Sequence, residues 1–484
     1  MERRAKVLLT GATGNWGRAA LREFRERDAV DVVAFALPTE SERAVLAEFA
    51  DMENLRVEWG DLTRYADVER AIRGVDLVLH VGAVVSPIAD DHPRLARRVN
   101  VGSMQNIIRA VAGLPNPSSV GVVGIGSVAQ TGDRQDPQHW GRVGDPLRVS
   151  EFDEYGQTKV VAERLLVDSG LPRWAWLRQT GIFHPAMLEI RDPIMTHTPL
   201  AGVMEWVSDR DSARLLAGIA EGVPDEFWGG IYNIGGGEAW RLTNWQLQLA
   251  MGEAMGVRDM RAWYDRRWFA LKNFHGQWYT DSDRLEALVP FRSEAFPEAL
   301  QRAVSVAPAS VRSAGRVPGW IVKNLVIAPL TRRPRGTMRA IARGDAEEIA
   351  AHYGSLDAWR AIGDWSDFVP PEPSRIPTLL DHGYDESKPS SEWVRRDYEQ
   401  VARFRGGSLL TTAIQTGDIA TPLVWRCAQG HTFSGSPRLI LAGGHWCPEC
   451  VRDSSTYSTQ AELNPFLADR KSTRLNSSHE WITR

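Results

Sequence analysis

The tightest constraint on this chain is the stretch Lys6-Val-Leu-Leu-Thr10-Gly11-Ala-Thr13-Gly14-Asn15-Trp16-Gly17-Arg18. An apolar run, glycines at fixed spacing and an amphipathic segment over 19–28 predict a buried strand, a tight turn and the start of a helix. Gly11 turns where a side chain would obstruct, Gly14 lets the backbone approach a pyrophosphate, and Gly17 lets the helix pack closely on the strand. The N–H groups that open such a helix face phosphate oxygens. A nucleotide site is therefore expected here, formed by Gly11, Thr13, Gly14, Asn15, Trp16 and Gly17.

Further apolar runs at 30–38, 57–62, 75–83 and 120–127 alternate with helical spacing, which predicts a doubly wound parallel sheet of α/β class. The second run ends at Ala36, where a site selective for NAD usually presents Asp or Glu to the ribose. Pro38, Thr39, Ser41 and Arg43 follow it, so NADP is slightly favoured over NAD. Asp61, followed by Leu62, either accepts from an adenine amino group or caps the next helix. Gly82 and Ala83 are small enough for a cofactor to lie against the backbone. Ser127 stands at the C-terminal end of its strand, the edge where ligands bind in such sheets.

Tyr155 and Lys159 fall at i and i+4 in a helical pattern over 152–168 and so share a face. A phenol with an ordinary pKa near ~10 becomes a usable acid–base group when an ammonium and an oxidised nicotinamide lie beside it. Together TGATGNWG, Asp61, Ser127, Tyr155-xxx-Lys159 and Leu177-Arg-Gln-Thr-Gly-Ile-Phe-His-Pro185 resemble the extended short-chain dehydrogenase/reductases of the NAD-dependent epimerase/dehydratase type, over residues 5–300. The resemblance implies a Rossmann fold with a smaller substrate subdomain. It also implies Ser127 as catalytic serine, Tyr155 as acid–base and Lys159 as its ribose-binding helper, with Asn100 a less secure helper. The segment Gly126-Ser127-Val-Ala-Gln-Thr-Gly132 departs from the pattern, lacking the paired serines and the Tyr-Gly common there, and His80-Val-Gly82-Ala83 replaces a pair of alanines. The expected activity is an NAD(P)-dependent oxidoreductase or epimerase/dehydratase acting on a hydroxyl or keto substrate, with family members often using nucleotide-linked sugars.

Residues 185–300 should hold the substrate subdomain, with Thr243 and Gln246 as a capping box. Trp240, Arg241, Trp245, Trp263, Tyr264, Trp268, Phe274 and Trp278 either line a pocket or, more often for such aromatics, form core. A stretch rich in Ala, Ser, Pro and Val over 304–318 reads as a domain edge closing a unit at 1–303. A helical region over 319–410 follows, with helical spacing at 338–353 and 391–404.

All three cysteines, Cys427, Cys447 and Cys450, sit near the C-terminus. With His431 they leave gaps of 3, 15 and 2 residues, which suits structural tetrahedral zinc in a ribbon-like module over 411–456. His445 competes as the nitrogen ligand. A disordered tail is expected over 457–484, and its end from Arg470 looks like a translated sequencing-adapter read, so it is left out of the functional argument.

Lys and Arg number 57 against 61 Asp and Glu, a formal net charge of -4, so no basic field recruits nucleic acid. The run 317–330 is too short to span a bilayer and is broken by Lys323 and Asn324. A soluble cytoplasmic protein without a membrane partner is expected, and a homodimer is left open. The rival function is a cofactor-sensing protein that signals through its zinc module to nucleic acid or a protein partner.

Overall fold

The computed structural model describes residues 3–189 and 192–467. Seven strands form one sheet: β1 (Lys6–Thr10), β2 (Asp31–Ala36), β3 (Leu55–Trp59), β4 (Leu77–His80), β5 (Gly121–Ser127), β6 (Trp174–Gln179) and β7 (Gly230–Ile234). Every pairing is parallel, in the order β7-β6-β5-β4-β1-β2-β3. The order reverses between β1 and β4, and that switch point opens a crevice at the C-terminal edge.

A parallel sheet is covered on both faces, which is why its strands read as nearly unbroken apolar runs. Val7 and Leu9 face α1 (Asn15–Arg27) in one core, while Leu8 between them joins the opposite core. That second face carries α3 (Tyr65–Ile72), α4 (Gly102–Ala112) and α5 (Glu154–Val167), and α2 (Glu40–Ala47) connects β2 to β3. The helix Asp209–Glu221 packs beside α1 on the first face.

Beyond β6, Val203–Glu205 pairs antiparallel with Arg241–Thr243, and Thr243 and Gln246 form the capping box of the next helix. Trp240, Trp245, Trp263 and Tyr264 are buried in one aromatic core that continues through Ala307 to Val322 and Ile327. Trp278 is buried with its ring 5.4 Å from that of Trp140. Of the eight residues weighed above, Phe274 lines a cavity.

The helical pattern at 338–353 is two helices, Thr337–Arg343 and Ala346–Tyr353. Gly344 ends the first with φ 65°, and the Asp345 carboxylate caps the second by accepting from Glu348 N.

In the last section β8 (Ser408–Leu409), β9 (Leu423–Arg426) and β10 (Thr432–Gly435) pair antiparallel around Trp425, Tyr398 and Val401. This module lies against α5: Arg164 donates to Ser434 O, Gln157 Nε2 to Val451 O at 2.9 Å, and Ser436 N to Asp168 Oδ2 at 3.2 Å. Residues 457–467 correct the expectation of disorder. They form the helix Tyr457–Leu463 and a turn Pro465–Leu467 because two aromatics are anchored: Tyr457 OH donates to Val451 O, and the Arg405 guanidinium lies 3.7 Å from the Phe466 ring centre. The adapter-like end lies outside the described residues. Among the described residues no helix is long and apolar enough to cross a membrane.

Candidate functional site

The glycines fit the crevice through backbone crowding. Gly11 has φ +69°, and a Cβ there would sit 2.6 Å from Gly82 Cα; at Gly17 it would sit 2.1 Å from Gly11 O. At Gly14 the nearest atom, Gly11 O, would be 3.4 Å away, an ordinary contact, so crowding by the chain does not itself require this glycine. No side chain caps α1, and no acid stands in its first turn. The N–H groups of Asn15, Trp16 and Gly17 thus remain for an anionic ligand. Only the Trp16 backbone serves the crevice, because its indole is buried and donates to Ser212 O at 2.8 Å.

Thr10 Oγ1 accepts from Gly82 N at 3.1 Å and pairs with His80 Nδ1 at 2.8 Å, while His80 Nε2 meets Ser103 Oγ at 3.0 Å. Burial, then the nearby Lys159, pushes His80 down to about 3, so the ring is neutral. Leu62 closes over Gly82, with its Cδ1 3.1 Å from where a Cβ would lie, and Ala83 follows partly exposed. Asp61 Oδ1 accepts from Thr63 N at 2.8 Å, which ties that oxygen into the turn before α3. Asn100 sits in a π turn, Arg97–Val101, accepts from Val84 N at 2.7 Å and donates to Thr158 Oγ1 at 2.9 Å. It joins the exit of β4 to α5.

The edge next to the glycine loop holds a carboxylate that strand-end spacing did not signal. Thr13 donates its hydroxyl to Glu42 of α2. Arg43, which follows the strand end without supplying a carboxylate, lies 4.3 Å over the Trp59 ring.

Ser127, Tyr155 and Lys159 meet at the end of β5. Lys159 is buried, donates from Nζ to Ile125 O at 2.7 Å and lies 5.6 Å from the centre of the Tyr155 ring. Burial pulls its ammonium down to about 7. Burial pushes the Tyr155 phenol up, and the hydrogen bond with the Ser127 hydroxyl works the other way.

One turn beyond Lys159, Glu163 anchors a buried network that local spacing could not reveal. Its Oε1 accepts from Arg178 Nη2 at 2.6 Å and from His445 Nε2 at 3.0 Å, and its Oε2 accepts from Gln130 Nε2 at 2.6 Å. Gln130 Oε1 in turn accepts the Ser127 N–H at 2.9 Å. Gln130 thus links Ser127 to the C-terminal module. Against the burial that opposes its charge, Arg178 and His445 hold Glu163 down to about 2.

A cavity of about 520 Å³ opens at the start of α5, lined by Asp153 and Glu154, by Ser86 and Asp90 after β4, and by Arg335 and His352 of the helical section. Burial, reinforced by Asp153, raises Asp90 to about 6. Ser150 and His352 line the same cavity, and among the described residues their buried Oγ and Nδ1 have no hydrogen-bond partner.

In the module, the ligand atoms of Cys427, His431, Cys447 and Cys450 lie within 4.8 Å of one another. His431 Nδ1 is 3.5, 3.5 and 3.4 Å from the three sulfurs, and the Cys427 and Cys450 sulfurs are 3.8 Å apart. Tetrahedral zinc with Zn–S of about 2.3 Å and Zn–N of about 2.0 Å gives edges of about 3.8 Å between sulfurs and about 3.5 Å from sulfur to nitrogen. The donor set fits. His445 is not one of its ligands, since its ring is turned to Glu163.

Residues 7–170 match the sequence model of the NAD dependent epimerase/dehydratase family. UDP-glucose 4-epimerase of Rickettsia bellii is 28% identical over 108 residues, which is 22% of this chain and 32% of that protein. Short-chain dehydrogenase/reductase family 42E member 1 of Danio rerio is 29% identical over 198 residues, 37% of this chain and 46% of that protein. The alignments thus span about a third to a half of these relatives. UDP-glucuronic acid 4-epimerase of Bacillus cereus, solved with UDP-glucuronic acid and NAD, is 15% identical and superimposes with a TM-score of 0.50 over 62% of this chain and 98% of its own. That likeness shows the fold.

Proposed function

We propose that this chain, whose residues 7–170 match the sequence model of the NAD dependent epimerase/dehydratase family, is an enzyme that moves a hydride at an alcohol or ketone carbon of a sugar and a proton at that carbon's oxygen. The observation that carries this is the convergence of Ser127, Tyr155 and Lys159 at the end of β5, beside the uncapped start of α1. NAD, when bound, supplies the hydride acceptor and a positive charge on its nicotinamide.

The chain's own groups do the rest. The N–H groups of Asn15, Trp16 and Gly17 hold the pyrophosphate. Lys159 binds the nicotinamide ribose and, with that positive charge, offsets the burial that keeps the Tyr155 phenol protonated. Tyr155 Oη exchanges the proton with the substrate oxygen, and Ser127 Oγ hydrogen-bonds that oxygen. NAD is favoured over NADP, because the Glu42 carboxylate at Thr13 repels a 2′-phosphate and accepts from a ribose hydroxyl. Cys427, His431, Cys447 and Cys450 hold a structural zinc.

The names of the relatives favour a nucleotide-linked sugar as substrate. A second reading, a sugar without a diphosphate, is favoured by the cavity wall, where Asp90, Asp91, Asp153, Glu154, Asp192 and Glu348 face Arg335 and Arg452, and Arg335 is already paired to Asp91. An intact Tyr/Lys pair speaks against a mere cofactor sensor.

The test is turnover by the purified protein with NAD, offered UDP-glucose, UDP-glucuronic acid and unphosphorylated sugars. Tyr155→Phe is expected to lose about 10²- to 10⁴-fold in rate with NAD affinity unchanged. Turnover that survives this substitution sinks the mechanism.

A further inference from the structure

Residues 306–343 contain eight Lys and Arg and no Asp or Glu, in a chain whose net charge is -4. Inside this basic stretch Gly319–Ile321, Val322–Ile327 and Ala328–Thr331 run on as one helix with a π turn in the middle. The five-residue spacing of that turn puts Val322 and Ile327 together on the buried face. Ordinary α spacing would bring Leu325 or Val326 to the core beside Val322. Instead Trp320 is 64% exposed, Leu325 68% and Val326 43%, with Val317 exposed just before them.

Arg312, Arg316, Arg332 and Arg333 flank this apolar face. All four are exposed, and none forms an ion pair among the described residues. A Trp beside Leu and Val, edged by free cations, is the composition of a helix that lies in a lipid interface. The free arginines oppose self-association, because a second copy would bring the same charges together. Nucleic acid would use the arginines but has no use for Leu325 and Val326 on its phosphate backbone.

We propose that this helix and its basic flanks dock the protein on a membrane surface containing anionic lipid, with Trp320 and Leu325 entering the headgroup boundary and the arginines meeting lipid phosphates. The helix lies on the bilayer and does not cross it. The sequence expectation of no membrane partner considered only a span, and the π turn that faces these side chains outward has no signature in the composition.

The test is co-sedimentation of the full-length protein with vesicles of phosphatidylcholine alone or of phosphatidylcholine mixed with phosphatidylglycerol. Binding is expected only to the mixed vesicles and should weaken as salt is raised. Each arginine removed, as in Arg332→Gln and Arg333→Gln, should weaken it about fivefold. Trp320→Glu with Leu325→Glu should abolish it while the melting temperature and NAD affinity stay unchanged. Brominated lipid should quench a part of the tryptophan emission that Trp320→Phe no longer contributes. The proposal is overturned by no binding to mixed vesicles at low salt, or by binding that Trp320→Glu with Leu325→Glu leaves intact. It is equally overturned if that double variant turns a dimer into a monomer in a protein that ignores vesicles, which would assign the face to a second copy.

Discussion

The glycine loop at 10–17 and the Cys/His module at 427–450 both turn on a glycine with positive φ, Gly11 at 69° and Gly430 at 85°, yet they treat their polar groups in opposite ways. The loop leaves the start of α1 uncapped and facing a crevice. In the module the Cys427 N–H is bonded to His431 O, the Gly430 N–H to Cys427 O, and the four ligand atoms converge on one point. Donors kept unpaired at an open edge suit a ligand that comes and goes. Four donors closed around one metal would leave no position for a substrate and would contribute stability. The module is joined to Ser127, not to the loop, through the network from His445 over Glu163 and Gln130.

The largest effect that would break this contrast is metal removal. A chelator, or Cys447→Ser, is expected to remove apparent folding free energy on the order of 10 kcal/mol from the module, read as loss of hydrogen-exchange protection over 408–467 while β1, β4 and β5 stay protected. Unfolding of both regions together would show that the module is no separate unit. The next effect belongs to the loop: Gly17→Ala sets a Cβ against Gly11 O, backbone on backbone. We expect NAD affinity to fall by well over tenfold, by calorimetric titration, with the metal content unchanged.

Replacing Glu42 by Ala sharpens the comparison at the open side, where the proposed function gives the choice of ligand to a side chain and not to the backbone. The preference for NAD over NADP should fall by about tenfold, one charged hydrogen bond's worth, measured as the ratio of dissociation constants. The smallest effect is the pH dependence set by Asp90. Its carboxyl is raised from 3.8 to about 6 by burial and by Asp153, so its contribution to stability is fully present below 3.8 and lost as pH rises through about 6. The melting advantage of the parent over Asp90→Asn should therefore shrink between about pH 4 and pH 7. An advantage that stays flat over this range would mean that the cavity is wetter than its burial indicates.

Much of the open site was legible because its signals are local. Gly11, Gly14 and Gly17 lie within one turn, and Tyr155 and Lys159 are one helical turn apart. The Cys/His cluster of Cys427, His431, Cys447 and Cys450 was legible by type and spacing, although His431 and His445 competed until the structure turned the second to Glu163. Glu42 was missed because its carboxylate reaches the glycine loop from α2 and not from the end of β2. Gln130 and Glu163 were missed because Gln130 meets Glu163 across 33 positions and Glu163 meets His445 across 282, and no periodicity carries such contacts.

By itself the sequence determined the alternation of strand and helix, the glycine turn, the Tyr/Lys helix and the set of soft ligands, because each depends on neighbours a few residues apart. Only the tertiary structure decided what those pieces face. Packing set the module on the back of α5, ordered 457–467 around Phe466 and Tyr457, and turned Trp320 and Leu325 outward through a π turn. Burial and partners then set the charges: burial neutralises His80 and brings Lys159 to about 7, while Arg178 and His445 keep Glu163 ionised against it. Those outcomes depend on which groups meet in low dielectric, and only the folded chain brings them together.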